Sequence, residues 1–473
     1  MSAKIRRMIQ CLVIVFGVSG SPAWSAQLTL DEVLKSVEQH FPLMLNARLE
    51  IQKAEADYLA AQGGFDPTLK ASADSTVEGY YKNFYTDLEV DQPTALWGAR
   101  VFAGWRNGQG IFPVHDSISA TSGAGEARIG VEVPILKGGS TDERRTRMST
   151  AQRGLELAGH GAAAQRLEVN KQAAVKYWDW VAAGQKLKVA EDLLQISLVR
   201  DKALIDRVKQ GDTPRIDQTD NQRAVVQRRS GVISAERGLQ KLSFELSLFL
   251  RDSSGIPRVV AREDLPANFP EPKRDEALDS VNLDSQWIAA HPELGRFQSQ
   301  LEQNQLEVRL AENQMLPKLN FSFGLYSDLG SNLDALNNLP PQNYPTEIRL
   351  GLNLEFPLFF RVPRGKREAA SVNLSKLGVM KGLTQDRLQI QINDSRQAMK
   401  MALERLELAR KEISLNQVLE DAERTRFQHG ESNLLIINIR EQITRDAWIK
   451  EYDALADFYK SKAELLAAQG RGM

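Results

Sequence analysis

The residue types that could do chemistry in this 473-residue chain are few and far apart. Its five histidines, His40, His115, His160, His291 and His429, are never closer than 45 positions. None therefore forms the short-spaced pair that a metal site on one helix requires. The one cysteine, Cys11, leaves no disulfide and no cysteine-ligated metal. Gly104, Gly108 and Gly110 lack the strand-to-helix setting of a phosphate-cradling loop. The sequence thus predicts no enzyme, no cofactor and no metal centre. Two carboxylates remain of interest: Asp217 and Asp220, three residues apart and six and nine residues beyond Gly211. Taken alone they read as solvated acids near a helix N-terminus.

Composition narrows the class. Lys and Arg number 60 against 61 Asp and Glu, and mean hydropathy is −0.36. After residue 26 no run approaches the ~18 apolar residues of a membrane-spanning helix, which excludes a polytopic helical membrane protein. Balanced charge gives no reason to expect nucleic acid as a partner. The first 26 residues have the parts of a secretory signal: basic Lys4, Arg6 and Arg7, an apolar stretch from Ile9 to Val18, then small residues around Ser25. Cleavage is expected within a residue of Ser25. Ten mostly apolar residues are too short for a membrane anchor, and Cys11, at the front of that stretch and not behind it, is badly placed for lipidation. The mature chain, with 57 basic and 61 acidic groups, is expected to be exported.

The elements that must position any site are duplicated. Pro42 and Pro292 lie in similar surroundings, and each is followed 25 residues later by another proline, Pro67 and Pro317. The run from Arg128 to Pro134 echoes that from Arg349 to Pro357, and Arg207 to Gly211 echoes Arg426 to Gly430. Four landmarks in one order predict two structural repeats, 27–264 and 284–473, joined by a proline-rich linker over 265–283. Proline-free stretches over 135–213, 215–256 and 364–473, rich in good helix formers, predict long helices, the longest over roughly 140–210 and 362–429. Each turns at its glycine and returns as a second long helix. Near the end, Ile436, Ile439, Ile443, Ala447, Trp448, Tyr452, Leu455 and Tyr459 step by three or four along one apolar stripe.

Between the second and third landmarks the period becomes two. Leu319, Phe321, Phe323 and Leu325 alternate with polar residues, as do Ile348, Leu350, Leu352 and Leu354. The first half matches, with Leu69, Ala71 and Ala73 and then Ala127, Ile129, Val131 and Val133. Such strands suit a barrel wall with lipid outside and water inside, although a half-buried hairpin on a soluble core alternates identically. Four strands cannot close a membrane barrel, which needs at least ~8, so several chains must share one. The first hairpin carries about 27 extra residues, including Trp97, Gly98, Phe102, Gly104 and Trp105. An extracellular loop is their default reading; a strand extension or a segment over the mouth are the alternatives.

The opening Leu28-Thr29-Leu30-Asp31-Glu32-Val33-Leu34, the helix-starting Pro42 and Pro292, the strand-ending Pro134 and Pro357, the paired Arg-x-x-x-Gly turns and the duplication together resemble the TolC-type outer membrane efflux proteins across 27–470. The resemblance implies a mainly α fold with a membrane β-barrel, four strands per chain closing a shared 12-stranded barrel in a homotrimer. It implies an outer membrane channel reaching into the periplasm, a passive exit duct of a tripartite efflux or type I secretion system. Its partners would be a periplasmic adaptor protein and, through it, an inner-membrane transporter. Arg207, Gly211, Arg426 and Gly430 would form periplasmic tips meeting the adaptor, and Asp217 and Asp220 would gate the closed end as a repeated acidic ring. The second half departs from that pattern, since the matching positions hold Ile436 and Ile439. The basic clusters around Arg144 and Arg367 would lie just below the barrel, as snorkelling anchors or simply a solvated helix face. A periplasmic helical-hairpin adaptor, or a structural envelope protein without a pore, is the alternative reading.

Overall fold

The computed structural model describes residues 27–113, 121–273, 284–329 and 346–472. The expected signal segment lies outside the described residues. A capping box closes the first helix, α1 (Leu30–His40): the Thr29 hydroxyl accepts from the Glu32 amide and the Glu32 carboxylate accepts from the Thr29 amide. The next helix, α2 (Pro42–Gln62), begins on a proline, whose missing N–H costs nothing in a first turn. Four strands follow: β1 (Thr68–Thr76), β2 (Asn83–Pro93), β3 (Arg100–Gly110) and β4 (Glu126–Pro134). A long helical hairpin, α3 (Glu143–Gln210) and α4 (Arg215–Ser247), completes the first half.

The second half repeats the plan with α5 (Asp284–Ala289), α6 (Pro292–Asn313), β5 (Lys318–Asp328), β6 (Thr346–Glu355), α7 (Arg361–Gln428) and α8 (Leu434–Ala468). Pro292 starts α6 as Pro42 starts α2. Both α3 and α7 have 68 residues, about 100 Å of helix at 1.5 Å per residue. No described helix is long and apolar enough to cross a membrane.

All strands join one antiparallel sheet in the order β1-β2-β3-β4-β5-β6. The expectation of four strands is corrected to six among the described residues. The extra residues of the first half do not make a loop: much of them folds as β2 and β3, paired throughout with β1 and β4. The reason is visible in β2, where Phe84, Leu88 and Val90 alternate with Tyr85, Asp87, Glu89 and Asp91 and so fit the same two-faced surface as the other strands.

Below the sheet the helices need a common core, since each rod is polar on most of its surface. α1, the middle of α3, the end of α4 and the strap after it enclose Val33, Val37, Tyr177, Trp180, Leu187, Leu246 and Leu265. Gly184 permits this approach: a Cβ there would sit 2.4 Å from a Leu265 methyl. Trp180 is fully buried and donates its indole N–H to the Ser243 hydroxyl at 3.1 Å. A second core forms from Ile288, Leu294, Leu388, Ile392, Phe458 and Leu465. Aromatic rings join the two: Trp178 of α3 stacks on Tyr459 of α8 at 4.2 Å and on Phe269 of the strap at 5.7 Å. Gln185 fixes the strap by donating to the Pro266 and Ala267 carbonyls at 2.9 and 3.1 Å.

The apolar stripe expected along α8 divides in the structure. Ala447 and Leu455 are buried, but towards the N-terminus the buried positions are Leu434, Ile437, Glu441 and Thr444. Ile436, Ile439 and Ile443 are exposed on the single chain, so tertiary packing chose the adjacent face.

Because Trp180 fills the joint, Trp180→Ala is expected to destabilise the helical region by roughly 3–5 kcal/mol. Tyr459→Phe, which loses one hydrogen bond to the Pro270 carbonyl, should cost about 1 kcal/mol. Denaturant midpoints of helical circular dichroism give the comparison, and equal effects would contradict this account of the core.

Candidate functional site

Two turns mark the end of the helical hairpins remote from the sheet. Gly211 and Gly430 both have φ of +79°, the left-handed conformation that glycine takes at little cost. In the first turn the Gly211 amide donates to the Val208 carbonyl at 3.2 Å and the Asp212 amide to the Arg207 carbonyl at 3.0 Å. In the second the Gly430 amide donates to Phe427 at 3.0 Å and the Glu431 amide to Arg426 at 2.9 Å. Both are the same hydrogen-bonded stop, which satisfies carbonyls the helix itself leaves unpaired. Arg207 and Arg426 thus serve the turns through their backbone oxygens. Their side chains are exposed: Arg426 pairs with Glu423 at 3.5 Å, while Arg207 makes no side-chain hydrogen bond among the described residues.

The return helices differ. Asp217 is the third residue of α4, its amide donating to the Pro214 carbonyl at 3.1 Å, and α4 has no side-chain cap. Its carboxylate therefore lies where the positive end of the helix dipole favours a negative charge. Asp220 lies one turn on, 3.9 Å from Arg223. In α8 the Asn433 side chain caps the helix, accepting from the Ile436 amide at 3.1 Å, and Leu435, Ile436 and Ile439 are exposed. The return helix of the first hairpin thus opens with the carboxylates Asp217 and Asp220, and that of the second with exposed aliphatic side chains.

About 16 Å from the tips, eleven residues along each hairpin, lies a charged cluster that sequence reasoning missed. Glu441 of α8 is fully buried and pairs with Arg200 of α3, with Arg228 of α4 at 2.8 Å and with Arg424 of α7 at 3.5 Å. Asn438 accepts from Arg200 at 2.8 Å and from Arg228 at 3.3 Å. Asn221 donates to the Ser197 carbonyl and to Asp201, both at 3.2 Å. Burial pushes the Arg228 guanidinium below its ordinary range, Arg200 and Arg445 push the same way, and Glu441 opposes them. One carboxylate thus holds cations from three other helices. The available signal was Glu441 itself, an acid four residues after Ile437 and three before Thr444 on the stripe that starts at Leu434.

At the other end the sheet has two unlike faces. Leu69, Val90, Ala103, Ile129, Leu325 and Ile348 form one cross-strand row in direct register on one face. The opposite face carries ion pairs: Lys70 to Asp91 at 2.7 Å, Arg100 to Glu132 at 2.9 Å, Arg106 to Glu126 at 2.9 Å, and Arg128 to Asp87 and Glu89 at 2.6 and 2.9 Å. Arg349 lies 4.1 Å from the centre of the Tyr326 ring. Exposed aromatics gather at both ends of the strands, Tyr80 and Tyr81 in the distal turn and Trp97, Phe356 and Phe359 on the helix side. The basic cluster after β4 is partly occupied with structure: Arg145 pairs with Asp142, the N-cap of α3, and donates to the Gly138 carbonyl at 3.3 Å. Among the described residues no group of acids and histidines could hold a metal ion.

No family model matches the sequence, and no curated protein sequence matches it either. Solved structures do match. The Campylobacter jejuni CmeC outer membrane channel aligns over 99% of this chain and 94% of its own, with 14% identity and a TM-score of 0.66. The Vibrio cholerae outer membrane protein VceC aligns over 94% and 96%, with 14% identity and a TM-score of 0.66. The open state of the Neisseria gonorrhoeae MtrE outer membrane channel aligns over 100% and 98%, with 14% identity and a TM-score of 0.63. The chain shares the fold of these proteins along nearly its whole length.

Removing one partner of a buried charge cluster typically costs 3–5 kcal/mol, because the remaining charges lose their compensation. Glu441→Gln should therefore speed amide exchange in the last turns of α3 and α7 and the first turns of α4 and α8. Arg426→Ala removes an exposed arginine whose buried partner Glu423 keeps its hydrogen bond from the Ser432 hydroxyl, and should change stability by less than about 1 kcal/mol. Comparable exchange in the two variants would show that Glu441 does not tie the four helices together.

Proposed function

We propose that this protein is a TolC-type outer membrane channel, exported by cleavage near Ser25 and assembled as a homotrimer. The observation that carries the reading is a single sheet, apolar on one face and ionic on the other, continuous with helices about 100 Å long. Strands of 9–11 residues match the length that a tilted strand needs to cross a bilayer. Aromatics at both ends fit the two interfaces of an outer membrane barrel. Exposed Val372, Val379, Leu383 and Ile390 on α7, seven or four residues apart, suit packing against a neighbouring copy.

In this reading the protein is a passive duct of a tripartite efflux or type I secretion system, and no chemical step occurs in it. The helical hairpins carry the lumen across the periplasm. The tips at Gly211 and Gly430, with the exposed Arg207 and Arg426 side chains, meet a periplasmic adaptor that couples the duct to an inner-membrane transporter. The two halves, 27–264 and 284–473 about the 265–283 linker, supply alternate hairpins of the helical barrel. Asp217, repeated once per copy around the axis, forms an acidic ring that attracts cations at the narrow end, supported by Asp220. Ile436 and Ile439 give the other hairpin an apolar constriction.

Purified protein should be trimeric in detergent, remain with outer membranes after a high-salt wash and conduct in planar lipid bilayers. Asp217→Ala should weaken block by multivalent cations about tenfold, which corresponds to ~1.4 kcal/mol. Unchanged block in a conducting trimer would remove Asp217 from the gate. A monomer released by salt and without conductance would end the channel reading.

A further inference from the structure

The two edges of the sheet, β1 and β6, have no partner among the described residues. Every neighbouring pair is antiparallel and the described sheet has six strands, so β1 and β6 run in opposite directions. A copy placed beside β6 can therefore present its own β1 and continue the same antiparallel meander. The edges match in length, nine and ten residues, and in facing. Leu69, Ala71 and Ala73 on β1 share the outer face with Ile348, Leu350, Leu352 and Leu354 on β6, and all seven are exposed on the single chain.

The hairpin of β2 and β3 belongs to this wall by the same criteria. Val101 lies opposite Val131, which lies opposite Phe323 and then Leu350, so the apolar surface crosses from β3 to β6 without a break. On the polar face the ion pairs tie the hairpin to both neighbours, Lys70 of β1 reaching Asp91 and Arg106 and Arg100 of β3 reaching Glu126 and Glu132 of β4. Arg128 of β4 reaches past β3 altogether, to Asp87 and Glu89 of β2. It can do so because Gly104 lies between them: a Cβ at Gly104 would stand 3.0 Å from the Arg128 Nε. A hairpin standing free in water would need neither the apolar outer row nor these cross-strand ties.

We propose that β6 of each copy pairs with β1 of the next, with β2 and β3 inside the barrel wall, so that three copies of six strands close an 18-stranded barrel. This rests on the trimeric channel reading above. The occupant of each edge is a second copy of this chain, because unpaired backbone groups facing lipid cost several kcal/mol each and no other strand among the described residues is left to cover them. Eighteen strands enclose an open aqueous channel, wider than the 12-stranded barrel the sequence resemblance implied.

Substituted cysteines test this in a Cys11→Ser background, which contains no other thiol. In intact cells, Leu88→Cys, Val90→Cys and Ala103→Cys should react with a lipid-soluble maleimide but roughly tenfold or more slowly with a membrane-impermeant one, as lipid-facing barrel positions do. Tyr80→Cys, in the exposed β1–β2 turn, should react readily with both. Ala71→Cys combined in turn with Ile348→Cys, Leu350→Cys and Leu352→Cys should yield an oxidative cross-link between copies for at least one pair. If trimers form and conduct while Leu88→Cys and Ala103→Cys react with the impermeant reagent as fast as Tyr80→Cys, the hairpin lies outside the wall and the 18-stranded barrel is overturned, leaving the channel intact. Conducting trimers without any β1–β6 cross-link overturn the edge pairing. Loss of both trimer and conductance in the Cys11→Ser parent refutes the channel and this inference together.

Discussion

A strand edge in lipid cannot be left open. Within hydrocarbon there is no water to satisfy backbone N–H and C=O groups, so a membrane sheet must close on itself. The described residues supply six strands and two unpartnered edges, below the ~8 strands of the smallest closed membrane barrels. In the channel reading that constraint makes the protein an assembly before it is anything else. It also accounts for the two faces of the sheet: closure turns one toward lipid, where Ile348, Leu350 and Leu352 are at home, and the other toward water, where Asp87, Glu89, Arg106 and Arg128 remain solvated or paired.

The helices answer a different problem. A rod of about 100 Å cannot bury itself against one compact core, and burial along α3 and α7 is correspondingly sparse. The chain concentrates apolar contact at one level, where Trp178, Phe269 and Tyr459 stack across the halves and Trp180 fills the space behind them. Farther along, where hydrophobic contact thins, Glu441 and the three arginines around it tie α3, α4, α7 and α8. Such a cluster specifies position more than it adds stability, since desolvation offsets much of its attraction. A registry device of that kind suits hairpins whose ends must be placed relative to one another.

The duplicated plan is reproduced most closely where backbone geometry alone is at stake. The two tip turns share a φ of +79° and the same pair of hydrogen bonds, and both short helices begin on proline. Side chains have diverged. Asp217 and Asp220 stand in one half where Ile436 and Ile439 stand in the other, and the span from Pro67 to Pro134 that holds β2 and β3 is about 27 residues longer than that from Pro317 to Pro357. Backbone conformation tolerates few substitutes for Gly211 and Gly430, whereas an exposed helix position accepts either a carboxylate or an aliphatic side chain.

Much of the architecture was legible in one dimension because it follows from local rules. Proline-free runs marked α3 and α7 to within three residues, Gly211 and Gly430 marked their ends, and period-two alternation marked β1, β4, β5 and β6. The hairpin of β2 and β3 escaped notice because its glycines and tryptophans, read in isolation, look like a loop. Their place is decided by partners 20 to 40 residues away, as when Gly104 leaves room for Arg128 to reach Asp87. The burial of Glu441, and the choice of Ile437 over Ile436 as an inward residue, likewise depend on where α3, α4 and α7 lie. Local propensity and periodicity determined which segments are helix, strand and turn; only tertiary packing decided which face of each is covered, since that depends on neighbours that sequence distance does not record.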